Sequence, residues 1–174
     1  RYLLYNDGSN VVPAILTVTI FEGDTPNDNL YLTEVMYSPQ SNGFDYEWVE
    51  FYNPNDIAIF VNSWTIADNE QKDNIVSEEN EIITIPAKSV GILTSSPSTF
   101  RETYVNYKYV FSVEDVAIGN GLGTSETIIL SKNSYNDAFT YTSEDGANGN
   151  GKTLTRSCYN CADWSEAVSS PGTI

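Results

Sequence analysis

Asp45-Tyr46-Glu47-Trp48-Val49-Glu50-Phe51-Tyr52-Asn53-Pro54 reads as a β-strand, rich in aromatic and β-branched residues and stopped by the turn sequence Asn53-Pro54-Asn55-Asp56. Strand side chains alternate, so Val49 and Phe51 share one face while Trp48, Glu50 and Tyr52 share the other. Glu47 and Glu50, three apart, therefore point to opposite faces and do not make an acid pair. Glu47 falls on the Val49/Phe51 face. If that face is the core, its carboxylate needs hydrogen-bond donors, and turn N–H groups near Asn53 are the expected ones.

Short strands separated by turns continue on both sides. Upstream, Leu30 to Tyr37 is closed by Ser38-Pro39. Downstream, Ile57, Ile59 and Val61 alternate with Ala58 and Phe60, and Trp64 to Ala67 continues as β. Residues 68–81 read as a polar, acidic loop. Ile82 to Ile85 and Val90 to Thr94 flank Pro86-Ala87-Lys88-Ser89 as a hairpin. Ser96-Pro97 offers a cap and a first-turn proline, which predicts one or two helical turns over 96–102. Asn106 to Val113, Thr127 to Leu130, Ala138 to Thr142 and Thr153 to Arg156 complete the strands, with 119–123 a turn and 146–151 a flexible connection. Many short strands and almost no helix indicate an all-β, antiparallel sandwich.

Several pieces in order resemble the lamin-tail domain family, in its secreted or surface-attached prokaryotic form, over about residues 31–174. These are Thr33-Glu34-Val35 with Ser38-Pro39, the 47–54 strand, Ser63-Trp64-Thr65-Ile66-Ala67-Asp68, Ile85-Pro86-Ala87, Thr124 to Leu130, and a close formed by Gly151 to Arg156, Trp164 and Ser170-Pro171-Gly172. The long 96–116 region and Ser157-Cys158-Tyr159-Asn160-Cys161 depart from the family pattern. The resemblance implies an immunoglobulin-like β-sandwich without catalytic residues. It also implies a module for surface display, adhesion or assembly, or one appended to a secreted nuclease or phosphoesterase.

Composition narrows the chemistry. Twenty-four acids against eight bases give a net charge of −16, which opposes binding to nucleic-acid backbones and anionic membranes. No apolar run is long enough to span a membrane. The charge serves solubility, or calcium binding at a surface, with Asp68 and Asp73 as possible contributors although the 68–81 loop follows no EF-hand pattern. No other cofactor is expected. The chain has no histidine, which removes histidine-based triads, His-ligated zinc and the usual general base near neutral pH. The expectation is therefore a non-enzyme.

Cys158 and Cys161 form a lone CxxC with neither the additional ligands of a zinc site nor the βα setting of a redox motif, so the reading is a local disulfide, with an intersubunit bridge as the alternative. Twelve tyrosines, densest over 104–111, are both good strand residues and good interface residues, so Tyr104, Tyr107 and Tyr109 are candidate contact residues.

Residues 1–29 lie outside the resemblance, whereas 30–174 form the sandwich domain. Arg1 to Asn6, the turn Asp7-Gly8-Ser9-Asn10 and Val11 to Phe21 read as a β-hairpin, with Pro13 at an edge position and 22–29 as a connector. A lone hairpin is marginal in water. It would extend the sandwich as edge strands, end an upstream domain, or complete a sheet in a neighbouring subunit through Ile15, Val18 and Ile20. Arg1 in place of Met is expected of a chain cut from a longer product. The combined expectation is an extracellular or cell-surface module that binds protein partners, copies of itself included, possible forms being a filament or surface layer. The alternatives are a hydrolase accessory module and a calcium-stabilised adhesin domain.

Overall fold

The computed structural model describes residues 3–6, 11–14, 28–41, 43–77, 83–105 and 107–173. β1 (Leu3–Asn6) and β2 (Val11–Ala14) pair antiparallel, with Tyr5 opposite Val12. They form a ladder of their own, and neither adds a strand to the main sheet among the described residues. Ile15, Val18 and Ile20 lie outside the described residues.

The next strands are β3 (Tyr31–Met36), β4 (Trp48–Asn53), β5 (Ile59–Phe60), β6 (Thr65–Ala67), β7 (Lys72–Val76), β8 (Thr84–Ile85) and β9 (Ser89–Thr94). After α1 (Pro97–Thr103) come β10 (Val110–Val113), β11 (Ser125–Lys132), β12 (Tyr135–Thr142), β13 (Lys152–Arg156) and β14 (Trp164–Val168). A ten-stranded sheet runs β12-β11-β6-β7-β10-β9-β4-β3-β13-β14, while β5 pairs with β8 apart from it. The sheet is curled, and β7 and β10 are joined by a short register in which Ser112 faces Val76 and Val113 faces Ile75. One core then fills the space between its halves. Ile66, Ile75, Ile128 and Leu130 from one side pack with Leu32, Val35, Val49, Phe51, Leu93 and Leu154 from the other. Removing this apolar surface from water, at about 25 cal/mol per Å², is the main force holding the two layers together.

The alternation in β4 holds. Val49 and Phe51 enter the main core, and Trp48 lies on the opposite face with Met36, Ile92, Phe100 and Val110, where α1 covers it. β4 is thus buried on both faces.

Four details depart from the sequence reading. The sheet is not wholly antiparallel, because β9 and β10 run parallel. A parallel pair needs a crossover, and the long 96–116 region supplies one through α1. Residues 82–94 do not make a hairpin: β8 pairs with β5, and β9 pairs with β4 and β10. Asn53, fully buried, contributes to this: its side-chain amide donates to the carbonyls of Ile57, Ile85 and Pro86 and so holds the turn after β4 and the end of β8 together. The 68–81 segment contains β7, in which Asp73 and Ile75 are buried and Lys72 and Asn74 are exposed. Its polar composition hid a period-2 pattern, because one inward residue is an aspartate. Finally, 146–151 is pinned: Ala147 is buried, Tyr37 Oη donates to Gly146 O, and Gly149 N donates to Ser38 O at 3.0 Å.

Candidate interaction surface

The buried acids are the groups best suited to chemistry, and they are occupied by the protein's own donors. In the 119–123 loop three backbone amides meet three carboxylates: Gly119 N donates to Asp73 at 2.6 Å, Asn120 N to Asp68 at 3.1 Å and Leu122 N to Glu47 at 2.9 Å. Asp68 also accepts from Glu70 N and Gln71 N, at 2.8 and 2.7 Å. A glycine-rich concavity of the kind that holds anions is therefore filled from within. Glu47 is satisfied by a turn N–H, as its burial demands, but that of Leu122 rather than one near Asn53. Burial pushes its carboxyl up to about 7, against the pull of that amide.

Gly119 illustrates how tight the arrangement is. Its φ is +60°, and a Cβ there would run into the Asp68 carboxylate. Gly119→Ala should cost about 2–4 kcal/mol, from left-handed strain and a disturbed charged hydrogen bond. Gly149→Ala (φ +71°), where the nearest atom is Ser38 Oγ at 3.8 Å, should cost only about 1 kcal/mol. Urea unfolding of both variants checks the contrast.

A second group of acids lies under the C-terminal segment. Glu34 and Glu50 are cross-strand neighbours on β3 and β4, both fully buried. Glu34 accepts from Thr153 Oγ1 at 2.5 Å and Ser170 N at 2.9 Å, while Glu50 accepts from Thr33 Oγ1 at 2.6 Å and Gly172 N at 2.5 Å. The pair fastens Ser170-Pro171-Gly172 across the sheet. Burial raises the Glu34 carboxyl, and burial with the charge of Glu34 raises Glu50 to about 7. Among the described residues no group of three or more His, Cys, Asp or Glu side chains is placed to hold a metal ion.

The tyrosines are largely internal ties. Tyr135 Oη donates to Leu30 O at 2.9 Å and Tyr141 Oη to Gly123 O at 3.0 Å, each ring lying in or against the core. Of the candidate contact residues, Tyr104 is half-buried against Trp48 and Phe100 and its hydroxyl meets Ser169 Oγ at 2.7 Å. Tyr107 packs on Phe100 and lies close to Gly172, and burial, then the charges of Glu50 and Glu34, raise its phenol. Tyr109 packs against the main core with Lys108 over its ring. The three do not form one free patch.

The two ends of the curled sheet meet at a seam that sequence reasoning missed. Asp137 on β12 pairs with Arg156 on β13 at 2.7 Å, with side-chain exposures of 11% and 9%. Asp137 also accepts from Leu32 N at 2.8 Å, and Arg156 donates to the carbonyls of Leu32, Tyr159 and Cys161. Cys158 and Cys161 form a disulfide, so the bonded loop shapes the carbonyl cradle for Arg156. Beside the seam, Phe139 and Trp164 stack at 3.8 Å. A groove of about 470 Å³ runs there, walled by Ala138, Phe139 and Thr140 of β12 and Trp164 of β14, with Leu154 and Arg156 at its base. Among the described residues β12 and β14 are the outermost strands of the sheet, each laddered on one side only.

Comparison with known proteins gives a match to the lamin tail domain model over residues 24–153, well over half of the chain. The chain belongs to the lamin-tail domain family. No curated protein and no solved structure matches it. Lamin-tail domains are immunoglobulin-like structural and interaction modules, not typically catalytic, and the curled two-layer sheet is the sandwich expected of one. The match ends at residue 153, so the Arg156 seam, the disulfide loop and the Ser170–Gly172 clamp lie beyond the family model. In this lamin-tail domain no helix among the described residues is long and apolar enough to cross a membrane.

Proposed function

We propose that this lamin-tail domain is a non-enzymatic structural or adhesion module of the cell surface that joins copies of itself by β-strand addition. The observation that carries the proposal is the pair of open edges. Among the described residues, β12 and β14 each leave a row of backbone groups without a ladder partner, the template to which another strand adds. β12 spans eight residues and exposes Asn136, Ala138, Thr140 and Thr142. A strand of about the length of Val11 to Phe21 matches it, and residues 22–29 give that strand reach. The disulfide supports an oxidising, extracellular setting. The use of Asp68, Asp73, Glu34, Glu47 and Glu50 as internal hydrogen-bond acceptors supports a binding role over a chemical one.

Charges on an edge discourage pairing. The double substitution Ala138→Lys with Thr140→Lys, both at exposed positions, should abolish oligomers in sedimentation velocity while leaving the melting temperature within a few degrees. Oligomers that survive the two lysines would remove β12 as the joining edge.

A further inference from the structure

The face of β4 opposite the main core carries a second recess that the edge reading does not use. It is a cleft of about 240 Å³ between the 3₁₀ turn Phe44–Tyr46 and α1. Trp48 and Phe100 form its floor, 5.8 Å apart edge to face, with Tyr104 5.8 Å from Trp48. Tyr46 (40% exposed) and Met36 line it further. Among the described residues that line it, Asp45 is the only charged one and is exposed, and none is a lysine or arginine. Among the described residues Asp45 makes no hydrogen bond or ion pair, unlike the buried acids described above.

We propose that this cleft receives a lysine or arginine side chain from a basic segment of a partner protein. Size, lining and charge agree. The volume falls below that of pockets for drug-sized ligands and suits a single side chain. Trp48 and Phe100 are buried, so the exposed Tyr46 ring and the half-buried Tyr104 ring are the ones that attract a cation through their quadrupole and cover the aliphatic stem of Lys or Arg. Asp45 supplies the opposite charge at the mouth, and a net charge of −16 draws basic segments toward the surface. The eight basic residues of the chain are scattered singly, so it carries no basic segment of its own and the complementary segment is that of another protein. The inference stands apart from strand addition, since α1 and the 3₁₀ turn lie on neither open edge.

The test uses the isotope-labelled full chain and three short peptides of glycine and serine, carrying one central lysine, arginine or norleucine. The Trp48 indole N–H reports occupancy by NMR. Saturable shifts of that signal with the lysine and arginine peptides, at millimolar affinity, are expected. Asp45→Asn and Tyr46→Ala, both at exposed positions, should weaken them at least fivefold without lowering the melting temperature. Three outcomes overturn the proposal. Equal shifts with norleucine would show an apolar recess without cation preference. Unchanged affinity in Asp45→Asn would show that the carboxylate is not used. Shifts scattered over the surface that spare Trp48 would show diffuse attraction to an acidic protein.

Discussion

Asp137→Ala is expected to destabilise the domain by about 3–5 kcal/mol, because it leaves the Arg156 guanidinium nearly buried and unpaired and Leu32 N without its acceptor. The pair joins β12, at one end of the sheet, to β13 next to the other end, so the loss falls on the closure of the two layers. Replacing both partners, Asp137→Leu with Arg156→Met, should recover part of the loss, since the stranded charge goes with its partner. Recovery will be incomplete, because the carbonyls of Leu32, Tyr159 and Cys161 then lose their donor. Guanidinium unfolding of wild type, single and double variants measures each step. A single-variant cost below about 1 kcal/mol would place the pair among solvent-screened surface bridges instead.

The second large effect is on pH. Glu47 and Glu50 titrate at about 7 in the folded domain, raised by burial from the ordinary 4.5, and Glu34 is raised in the same direction. A carboxyl raised on folding holds its proton longer in the native state. Its contribution is present in full below about 4.5 and is lost as pH rises through about 7. At about 1.4 kcal/mol per unit for each of the two carboxyls, stability should fall by on the order of 5 kcal/mol between pH 5 and pH 8. Glu166 acts oppositely. The hydrogen bond of Lys152, then Ala147 N and Asn150, hold its carboxyl down to about 2, so its contribution is present above about 4.5 and lost as pH falls through about 2. The optimum should therefore lie near pH 5. Self-repulsion of a chain at −16 also grows with pH, so Glu50→Gln is the control. It keeps an acceptor for Gly172 N, and the slope between pH 5 and pH 8 should drop measurably. Chemical denaturation at half-unit steps reads the profile, and a stability that rises from pH 5 to pH 8 would contradict this account.

The fold was legible where neighbours in sequence carry the signal. The alternation of Trp48, Val49, Glu50 and Phe51 placed β4 and its two faces, and Ser96-Pro97 placed α1. What escaped depended on partners far along the chain. The Asp137–Arg156 seam joins residues 19 apart and closes on Leu32, 105 residues from Asp137. Strand β7 was hidden because Asp73 faces inward, a position that the Gly119 amide and the Gln71 side chain make tenable. Glu34 and Glu50 showed no pattern in sequence, since their proximity comes from the β3–β4 register. The tyrosine excess suggested contacts with other molecules, yet Tyr37, Tyr135 and Tyr141 tie loops to the core through their hydroxyls. The open edges of β12 and β14 follow from strand order, which the list of strands alone does not contain.

Assembly state is the most direct test of the proposed role. Light scattering with negative-stain imaging would be applied to the purified chain and to a version lacking residues 1–29, with circular dichroism verifying that the shortened sandwich stays folded. The account predicts oligomers or filaments from the full chain and monomers after truncation. Monomers from both would contradict strand addition by the N-terminal segment.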